Sequence, residues 1–199
     1  MNSYQAFWQE SFIFLVRAED KAGDFIRKEC KALGIKNVHI IELSKLTRGQ
    51  AETAMLAASI WQSEAPILIY NIDTVDAGEM TPEMMQGDGC IPCFTAEGTH
   101  WSFVRLDESG KVIEVREKER ISNHCSLGAY YFSSCKLYAD LYNTFYGKSE
   151  KWEHGEQYIA PMYNFLLQKG HEVYMQDISP EHVHVLGTPE ELDAFVHSY

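Results

Sequence analysis

One segment, residues 65–73, constrains the fold of this chain more than any other. Residues 65–71 (APILIYN) are apolar almost throughout, and they lead to Asp73 before the chain breaks at residues 76–78 (DAG). An apolar run without alternation predicts a strand buried on both faces, as in a parallel sheet flanked by helices. Ligands bind outside the carboxyl ends of such strands, so Asp73 is a candidate to hold a divalent metal and its phosphates. The alternative is that Asp73 only caps a turn.

Composition excludes several classes of function. The chain has 199 residues, of which 45% are hydrophobic and 23% charged, as expected for one globular domain. Its net charge of -12 argues against a general nucleic-acid binder, which needs a basic surface. A small phosphorylated ligand stays compatible with this charge, because it needs only a few local cations or a metal. No run approaches the roughly 20 apolar residues of a membrane span.

Cysteine usage indicates a reducing compartment. The five cysteines are an odd number, scattered through predicted core elements, and residues 1–9 carry no signal-peptide pattern. We therefore expect a cytoplasmic protein. Cys90 and Cys93 have the spacing of half a zinc site, but no second pair with matching spacing follows. His182 and His184 would share one face of a strand, and exposed histidines are favoured over a metal site there.

Predicted elements alternate between strand and helix in the first part of the chain. Apolar runs predict strands at 12–16, 38–43 and 65–71, separated by helices at 18–33 and 50–62. This order is typical of an α/β layered fold. Later strands are predicted at 90–95, 101–106, 112–118, 126–132 and 173–177, and later helices at 133–145, 158–169 and 189–197.

Three helices carry further signals. Gly34 follows the first helix, where a left-handed cap is expected. Thr188 and Pro189 form a favourable start for the last helix. Tyr158, Met162 and Tyr163 are interpreted as the core-facing stripe of their helix rather than as ligand contacts.

Six short pieces of the sequence, spread over nearly the whole chain, form an ordered set of motifs. They are 47–53 (TRGQAET), 71–73 (NID), 102–104 (SFV) with 115–118 (VREK), 128–132 (GAYYF), 155–164 (GEQYIAPMYN) and 186–192 (LGTPEEL). In this order and spacing they resemble the sugar-phosphate nucleotidyltransferase family, whose enzymes join an NTP to a phosphorylated small molecule and release pyrophosphate. The similarity is greatest to the branch that serves capsule and surface polysaccharides.

The resemblance implies an α/β, three-layer Rossmann-like nucleotidyltransferase fold, with a mixed but mostly parallel sheet flanked by helices. It implies one domain over residues 1–199, with a nucleotide-binding part at 1–78 and an acceptor-binding part at 79–199. The expected partners are an NTP and a phosphorylated small-molecule acceptor, and the expected cofactor is Mg²⁺.

On the nucleotide side, the resemblance assigns roles to four residues. Gly49 and Gln50 would lie under the base, where a glycine lets the backbone approach closely. Asn71 would also bind the nucleotide. Asp73 would hold Mg²⁺ and so bridge the phosphates, which makes it a catalytic residue.

On the acceptor side, the resemblance assigns four more. Glu117 would accept hydrogen bonds from the acceptor's hydroxyls, and Lys118, the second catalytic residue, would hold its phosphate. Gly128 would keep the pocket open, and Glu156 would line its far side. Without the resemblance, a Glu-Lys pair at a strand end is most often a solvated edge, and a glycine within a strand most often marks a bulge.

The sequence departs from the family pattern at two places. Family members begin with a strand and a Gly-rich loop that wraps the triphosphate, whereas residues 1–10 contain neither glycine nor a basic residue, so the first strand-loop-helix unit is expected to be missing. A homodimer is one way to cover the strand edge this exposes. Many members also place an acidic second metal ligand where this chain has Val185.

Three functions therefore stay open at this point. The first is a nucleotidyltransferase. The second is a degenerate, non-catalytic module that binds a nucleotide sugar, motivated by the missing loop and by Val185. The third is a glycosyltransferase of related fold, which is less favoured because such enzymes carry a second acid two residues after the first, where this chain has Val75.

Overall fold

The computed structural model describes residues 2–78, 80–147 and 155–198. The strands are β1 (Ser11–Arg17), β2 (Asn37–Leu43), β3 (Ile67–Tyr70), β4 (Thr74–Asp76), β5 (Gly89–Thr95), β6 (Ser102–Leu106), β7 (Val112–Glu117), β8 (His124–Ser126), β9 (Ala129–Phe132), β10 (Val173–Asp177) and β11 (Val183–Val185). The α-helices are α1 (Gly23–Ala32), α2 (Gln50–Met55), α3 (Cys135–Phe145), α4 (Ala160–Gln168) and α5 (Pro189–Ser198). Most predicted elements are confirmed, although α1 and α2 are shorter than predicted.

The main sheet has seven strands among the described residues. Its path is β3-β9-β5-β8-β6-β7, and β10 pairs with β5 in parallel. The other ladders of this sheet are antiparallel. The sheet is mixed, as expected, but the expectation of a mostly parallel sheet is wrong for the ladders described. Short connections, such as the one between β6 and β7, permit only antiparallel pairing, and the apolar run in β3 does not reveal the direction of its partner.

A separate parallel pair is formed by β1 and β2, which α1 connects. This is the strand-helix-strand unit expected from the sequence. Gly34 ends the helix in the left-handed conformation (φ 77°), as predicted, and the Ile35 N–H donates to the Cys30 carbonyl. Ile26 and Cys30 are buried, whereas Phe25, which lies on another face of α1, is 66% exposed.

The strand predicted at 126–132 is interrupted. Gly128 has φ +79° and separates β8 from β9. Because this left-handed residue ends the regular ladder, β8 pairs with β6 while β9 pairs with β3, and both contact the long strand β5. Gly128 therefore lies at a fork within the sheet.

The two faces of the main sheet are covered differently. Helices α2, α3 and α4 pack on one face, where Tyr138, Tyr163 and Phe132 are fully buried. On the other face, the 3₁₀ segments Asn2–Phe7 and Pro82–Met84 contribute side chains to a second cluster. The described α-helices thus cover one face of the sheet, and 3₁₀ segments contribute to the packing on the other.

The last unit consists of β4, β11 and α5. The two strands pair antiparallel, with Val185 opposite Thr74. As predicted, Thr188 caps α5: the Glu191 N–H donates to its Oγ1 at 3.2 Å, and the Thr188 N–H donates to Glu191 Oε2 at 2.9 Å. Across the described parts of the chain, no helix combines the length and apolarity that a bilayer span requires.

Candidate functional site

Backbone hydrogen bonds join the loop that precedes α2 to the loop that precedes α4. The Gln157 N–H donates to the Arg48 carbonyl at 2.7 Å, and the Ala51 N–H donates to the Gln157 carbonyl at 3.0 Å. Gly49 sits between these bonds with φ +143°, and a Cβ there would lie 2.6 Å from the Gln157 carbonyl oxygen. Glycine at this position is thus required by the protein's own backbone; its contact with a nucleotide base stays a prediction.

Three predicted residues from three separate segments meet beside this loop. Gln50 Nε2 donates to Asn71 Oδ1 at 2.8 Å and approaches the Gly128 carbonyl oxygen at 3.5 Å. A Cβ on Gly128 would lie 3.3 Å from Asn71 Nδ2. The structure therefore brings together two residues predicted for the nucleotide and one predicted for the acceptor.

A buried polar network supports the predicted acceptor side. Glu117 is only 7% exposed, and one of its carboxylate oxygens accepts a hydrogen bond from Ser102 Oγ. Ser102 has a single proton, which it gives to the carboxylate, so the Tyr130 hydroxyl at 3.0 Å is the donor to Ser102. Ser126 Oγ accepts the Gly128 N–H at 3.1 Å. A carboxylate this buried needs such partners, because desolvation without them is costly.

Electrostatics keeps Tyr130 protonated. Its burial raises the pKa of the phenol far above its usual value, and the nearby charge of Glu117 acts in the same direction. The phenol therefore remains a donor at every pH at which the protein would work. This fixes the direction of the hydrogen bonds from Tyr130 through Ser102 to Glu117.

Lys118 has an unusual backbone conformation directly after Glu117. Its φ is 56°, in the left-handed region that residues other than glycine seldom adopt, and its N–H donates to the Trp101 carbonyl at 2.9 Å. Such conformations cluster at functional sites. Its ammonium donates to the Tyr158 hydroxyl at 2.7 Å; this bond, followed by the charges of Glu117 and Glu156, raises the pKa of Lys118.

Tyr158 corrects an interpretation made from the sequence. Met162 and Tyr163 are fully buried, which confirms their place in the core-facing stripe. Tyr158 instead is half-buried, lies before α4 begins, and directs its hydroxyl to Lys118. Its carbonyl accepts the Tyr146 hydroxyl at 2.6 Å. The helical periodicity placed Tyr158 in the stripe because the helix was predicted to start two residues too early.

Asp73 lies at the other end of the cluster, two residues beyond Asn71. Its side chain is exposed, and its carbonyl accepts the Leu186 N–H at 2.6 Å. A Cβ on Gly187 would lie 3.7 Å from Asp73 Oδ2. The late segment around residues 185–187 therefore lies against Asp73, and Val185 contributes no ligand there.

The residues around Asp73 fit a magnesium site that has few protein ligands. No group of three or more His, Cys, Asp or Glu side chains gathers within the described residues. Mg²⁺ is commonly bound through one or two carboxylates, with waters and substrate phosphates completing its shell. An exposed carboxylate with no side chain on the adjacent Gly187 is compatible with such a site.

The other residues considered as metal ligands are buried or packed against neighbouring side chains. Cys90 and Cys93 are fully buried in β5, where burial raises the pKa of Cys90 to about 11. His182 and His184 are half-buried rather than exposed, and the His184 ring lies 5.1 Å from that of Phe195.

Hydrogen bonds, close approaches and adjacency along the chain connect six of the eight predicted site residues, and the charge of a seventh, Glu156, acts on Lys118. Asp73 lies beside this set. The links run through Gln157 and Tyr158 on one side and through Ser102, Tyr130 and Ser126 on the other. The sequence identified none of these five as functional. The seven residues are Gly49, Gln50, Asn71, Glu117, Lys118, Gly128 and Glu156.

Several solved structures are similar in fold to this chain. A nucleoside-diphosphate-sugar pyrophosphorylase from Vibrio cholerae RC9 is 35% identical to this chain with a TM-score of 0.90, over 98% of this chain and 84% of that one. An inositol-1-phosphate CTP transferase from T. maritima shares 15% identity with a TM-score of 0.70, over 95% and 75% of the two chains. A Bacillus anthracis protein described as a glucose-1-phosphate thymidylyltransferase, in complex with a sucrose, shares 15% with a TM-score of 0.73, over 92% and 73%.

At 15% identity, the last two similarities show the fold alone. The Vibrio cholerae similarity shows more, because it combines higher identity with nearly full coverage of this chain. The protein belongs to the sugar-phosphate nucleotidyltransferase family, which confirms the resemblance seen in the sequence. No protein-family model matches the sequence, and the search of curated proteins found no match.

Proposed function

We propose that this protein joins an NTP to a sugar phosphate or a related phosphorylated metabolite, with release of pyrophosphate, in the synthesis of capsule or surface polysaccharide. The observation that carries the proposal is that residues predicted separately for the nucleotide and for the acceptor lie against one another. Both substrates must lie side by side for such a transfer, and the two groups of residues meet at Gln50, Asn71 and Gly128.

The reaction is an in-line displacement. An oxygen of the acceptor's phosphate attacks the α-phosphorus of the NTP; the new P–O bond forms as the bond to the β-phosphate breaks, and pyrophosphate leaves. Gln50 and Asn71 bind the nucleotide, Lys118 holds the acceptor's phosphate, and Glu117 accepts hydrogen bonds from its hydroxyls. Catalysis then comes from positioning and charge neutralisation rather than from a nucleophilic side chain.

Asp73 is the residue that would hold Mg²⁺, which when bound neutralises phosphate charge during the displacement. In this proposal, residues 1–78 form the nucleotide side and residues 79–199 the acceptor side of one domain. The protein works in the cytoplasm, where its five free, buried cysteines stay reduced, and it functions as a homodimer.

Pyrophosphate release tests the proposal. The purified protein is incubated with Mg²⁺ and every pairing of CTP, UTP, dTTP, GTP or ATP with a panel of sugar 1-phosphates and polyol phosphates. We expect release with one nucleotide and one acceptor class, abolished in Asp73→Asn. Asp140→Asn is the matched control, because Asp140 is an exposed carboxylate that pairs with Lys136 on α3. The proposal would be refuted if no combination of nucleotide and acceptor released pyrophosphate, or if Asp73→Asn released as much as Asp140→Asn.

A second candidate is a non-catalytic module that binds a nucleotide sugar. It is favoured by Val185, which lies opposite Thr74 and beside Asp73, where a second carboxylate would be expected. Calorimetry with nucleotide sugars separates the two functions. Binding that is independent of Mg²⁺ and unchanged in Asp73→Asn, together with no turnover, supports the module.

A further inference from the structure

The hydroxyl of Tyr158 is an unassigned polar group at the centre of the candidate site. It lies 2.7 Å from Lys118 Nζ, which is 4.8 Å from the centre of the same ring. The ammonium therefore lies at the hydroxyl end of the ring rather than on its face. Since an ammonium has only protons to give, the phenol oxygen accepts this hydrogen bond.

The phenol's own O–H takes no part in this hydrogen bond, so it still needs an acceptor. In the described part of the chain, Lys118 is the one partner of this hydroxyl. Lys118 keeps two further N–H donors on the same ammonium. Two different donors, one charged and one neutral, thus lie within hydrogen-bond distance of each other on the exposed side of the cluster.

Hydrogen bonds anchor the backbone of both residues that carry these donors. The left-handed backbone of Lys118 is fixed by its N–H bond to Trp101, and the Tyr158 carbonyl is fixed by the Tyr146 hydroxyl at 2.6 Å. Gln157, next to Tyr158, is clamped to Arg48. This pre-organisation lowers the entropic cost of binding a ligand between the two donors.

Two carboxylates compete with any anionic ligand for the Lys118 ammonium. Glu117 and Glu156 both lie close enough to act on the Lys118 ammonium. Glu117 is engaged by Ser102, and Glu156 is exposed. A ligand that competes with two carboxylates for one ammonium benefits from a second, neutral donor, which Tyr158 supplies.

We propose that Tyr158 Oη–H and Lys118 Nζ together form the binding site for the phosphate monoester of the acceptor, so that Tyr158 contacts substrate. The identity of the acceptor rests on the proposed function, but the binding site does not require turnover. Tyr158 would bind one phosphate oxygen while Lys118 binds another, which fixes the direction of the attacking oxygen.

Binding measurements test this without relying on catalysis. The probes are glucose 1-phosphate, mannose 1-phosphate and glycerol 3-phosphate, titrated into wild type, Tyr158→Phe and Tyr174→Phe by calorimetry, with CTP and UTP titrated in parallel. Tyr174→Phe is the matched control, because its hydroxyl lies 3.3 Å from exposed Glu172, outside the cluster. Unfolding temperatures check that each variant is folded.

We expect Tyr158→Phe to bind the phosphorylated probe about tenfold more weakly, as the loss of one hydrogen bond to a charged group predicts. Nucleotide binding and the Tyr174→Phe variant should stay within about twofold of wild type, as for substitutions away from such contacts.

Unchanged probe affinity in Tyr158→Phe would overturn the proposal, and so would wild-type protein that binds none of the probes. Parallel loss of nucleotide and probe affinity with a lower unfolding temperature would also overturn it, because it indicates a structural role. If the wild type releases no pyrophosphate yet Tyr158→Phe loses probe affinity selectively, the inference stands and the transferase proposal fails.

Discussion

Gly49 is the position at which one added methyl group should most disturb the candidate site. Its backbone angles, φ 143° and ψ 179°, lie in a region used almost only by glycine. A Cβ there would lie 2.6 Å from the carbonyl oxygen and 2.7 Å from the nitrogen of Gln157. Both obstacles are backbone atoms, so no side chain can rotate away to make room.

The cost has two parts. Holding a non-glycine residue in this region costs about 1–3 kcal/mol. Forcing extra volume into a packed contact costs about 1–3 kcal/mol more. We therefore expect Gly49→Ala to lower the free energy of unfolding by about 2–6 kcal/mol, a large share of the roughly 5–15 kcal/mol typical of a domain.

Gly110→Ala is the control that separates the two parts. Gly110 also has a positive φ, +83°, but a Cβ there would meet nothing within 4 Å. It should cost about 1–2 kcal/mol, from conformation alone. Urea unfolding followed by tryptophan fluorescence, with equal m-values across variants, gives both numbers. A Gly49→Ala variant no less stable than Gly110→Ala would refute the close backbone contact with Gln157.

Two further predictions follow from the buried polar groups. Tyr130→Phe removes the donor to Ser102 and should lower the free energy of unfolding by about 1 kcal/mol. Because Ser102 holds Glu117, this variant should also bind sugar phosphates more weakly while its nucleotide affinity is kept. Calorimetry that shows both affinities unchanged would contradict this. All five cysteines are buried, and the pKa of Cys90 is raised to about 11, so its reactive thiolate forms only as the pH approaches that value. Ellman's reagent at about pH 8 should therefore modify almost no thiol in the native protein and all five after denaturation; rapid reaction of two or more native thiols would show that the core is open.

The sequence was sufficient for elements whose signals are local. Gly34 and Thr188 mark helix ends by chemistry that depends only on their neighbours, and both predictions were confirmed. Strand direction in β3 was not predictable in this way. The apolar run predicted a strand buried on both faces, whereas β3 is only half-buried and lies at the end of the described strand order. An apolar run looks the same whether its partner is parallel or antiparallel, so the antiparallel ladder with β9 needed the structure.

For the candidate site, the order of short motifs was enough to predict which residues take part, but not which groups surround them. Gly49 was predicted to make room for a base, which stays a prediction, and the structure adds that the Gln157 backbone also needs that room. Ser102 and Tyr130 were missed because a polar residue in a strand looks the same from sequence whether it faces solvent or a buried carboxylate. For Ser102, the available signal is that it shares a face of β6 with Val104, which is fully buried. Phe103 on the other face is fully buried too, so alternation alone does not single out Ser102.

Tyr158 was missed for a different reason. A tyrosine is both apolar and polar, and helical spacing assigns it to a core stripe without regard to its hydroxyl. Only the start of α4 at Ala160 and the contact with Lys118 place that hydroxyl in the site.

A structure of the protein with a bound nucleoside-diphosphate sugar and Mg²⁺ would show directly whether the two groups of residues form one active site. We expect the base beside Gln50 and Asn71, the sugar hydroxyls at Glu117 and the diphosphate directed towards Asp73. A ligand bound elsewhere, for instance in the basic cleft of about 310 Å³ beside α1 that Arg27 and Lys31 line, would refute the proposed function.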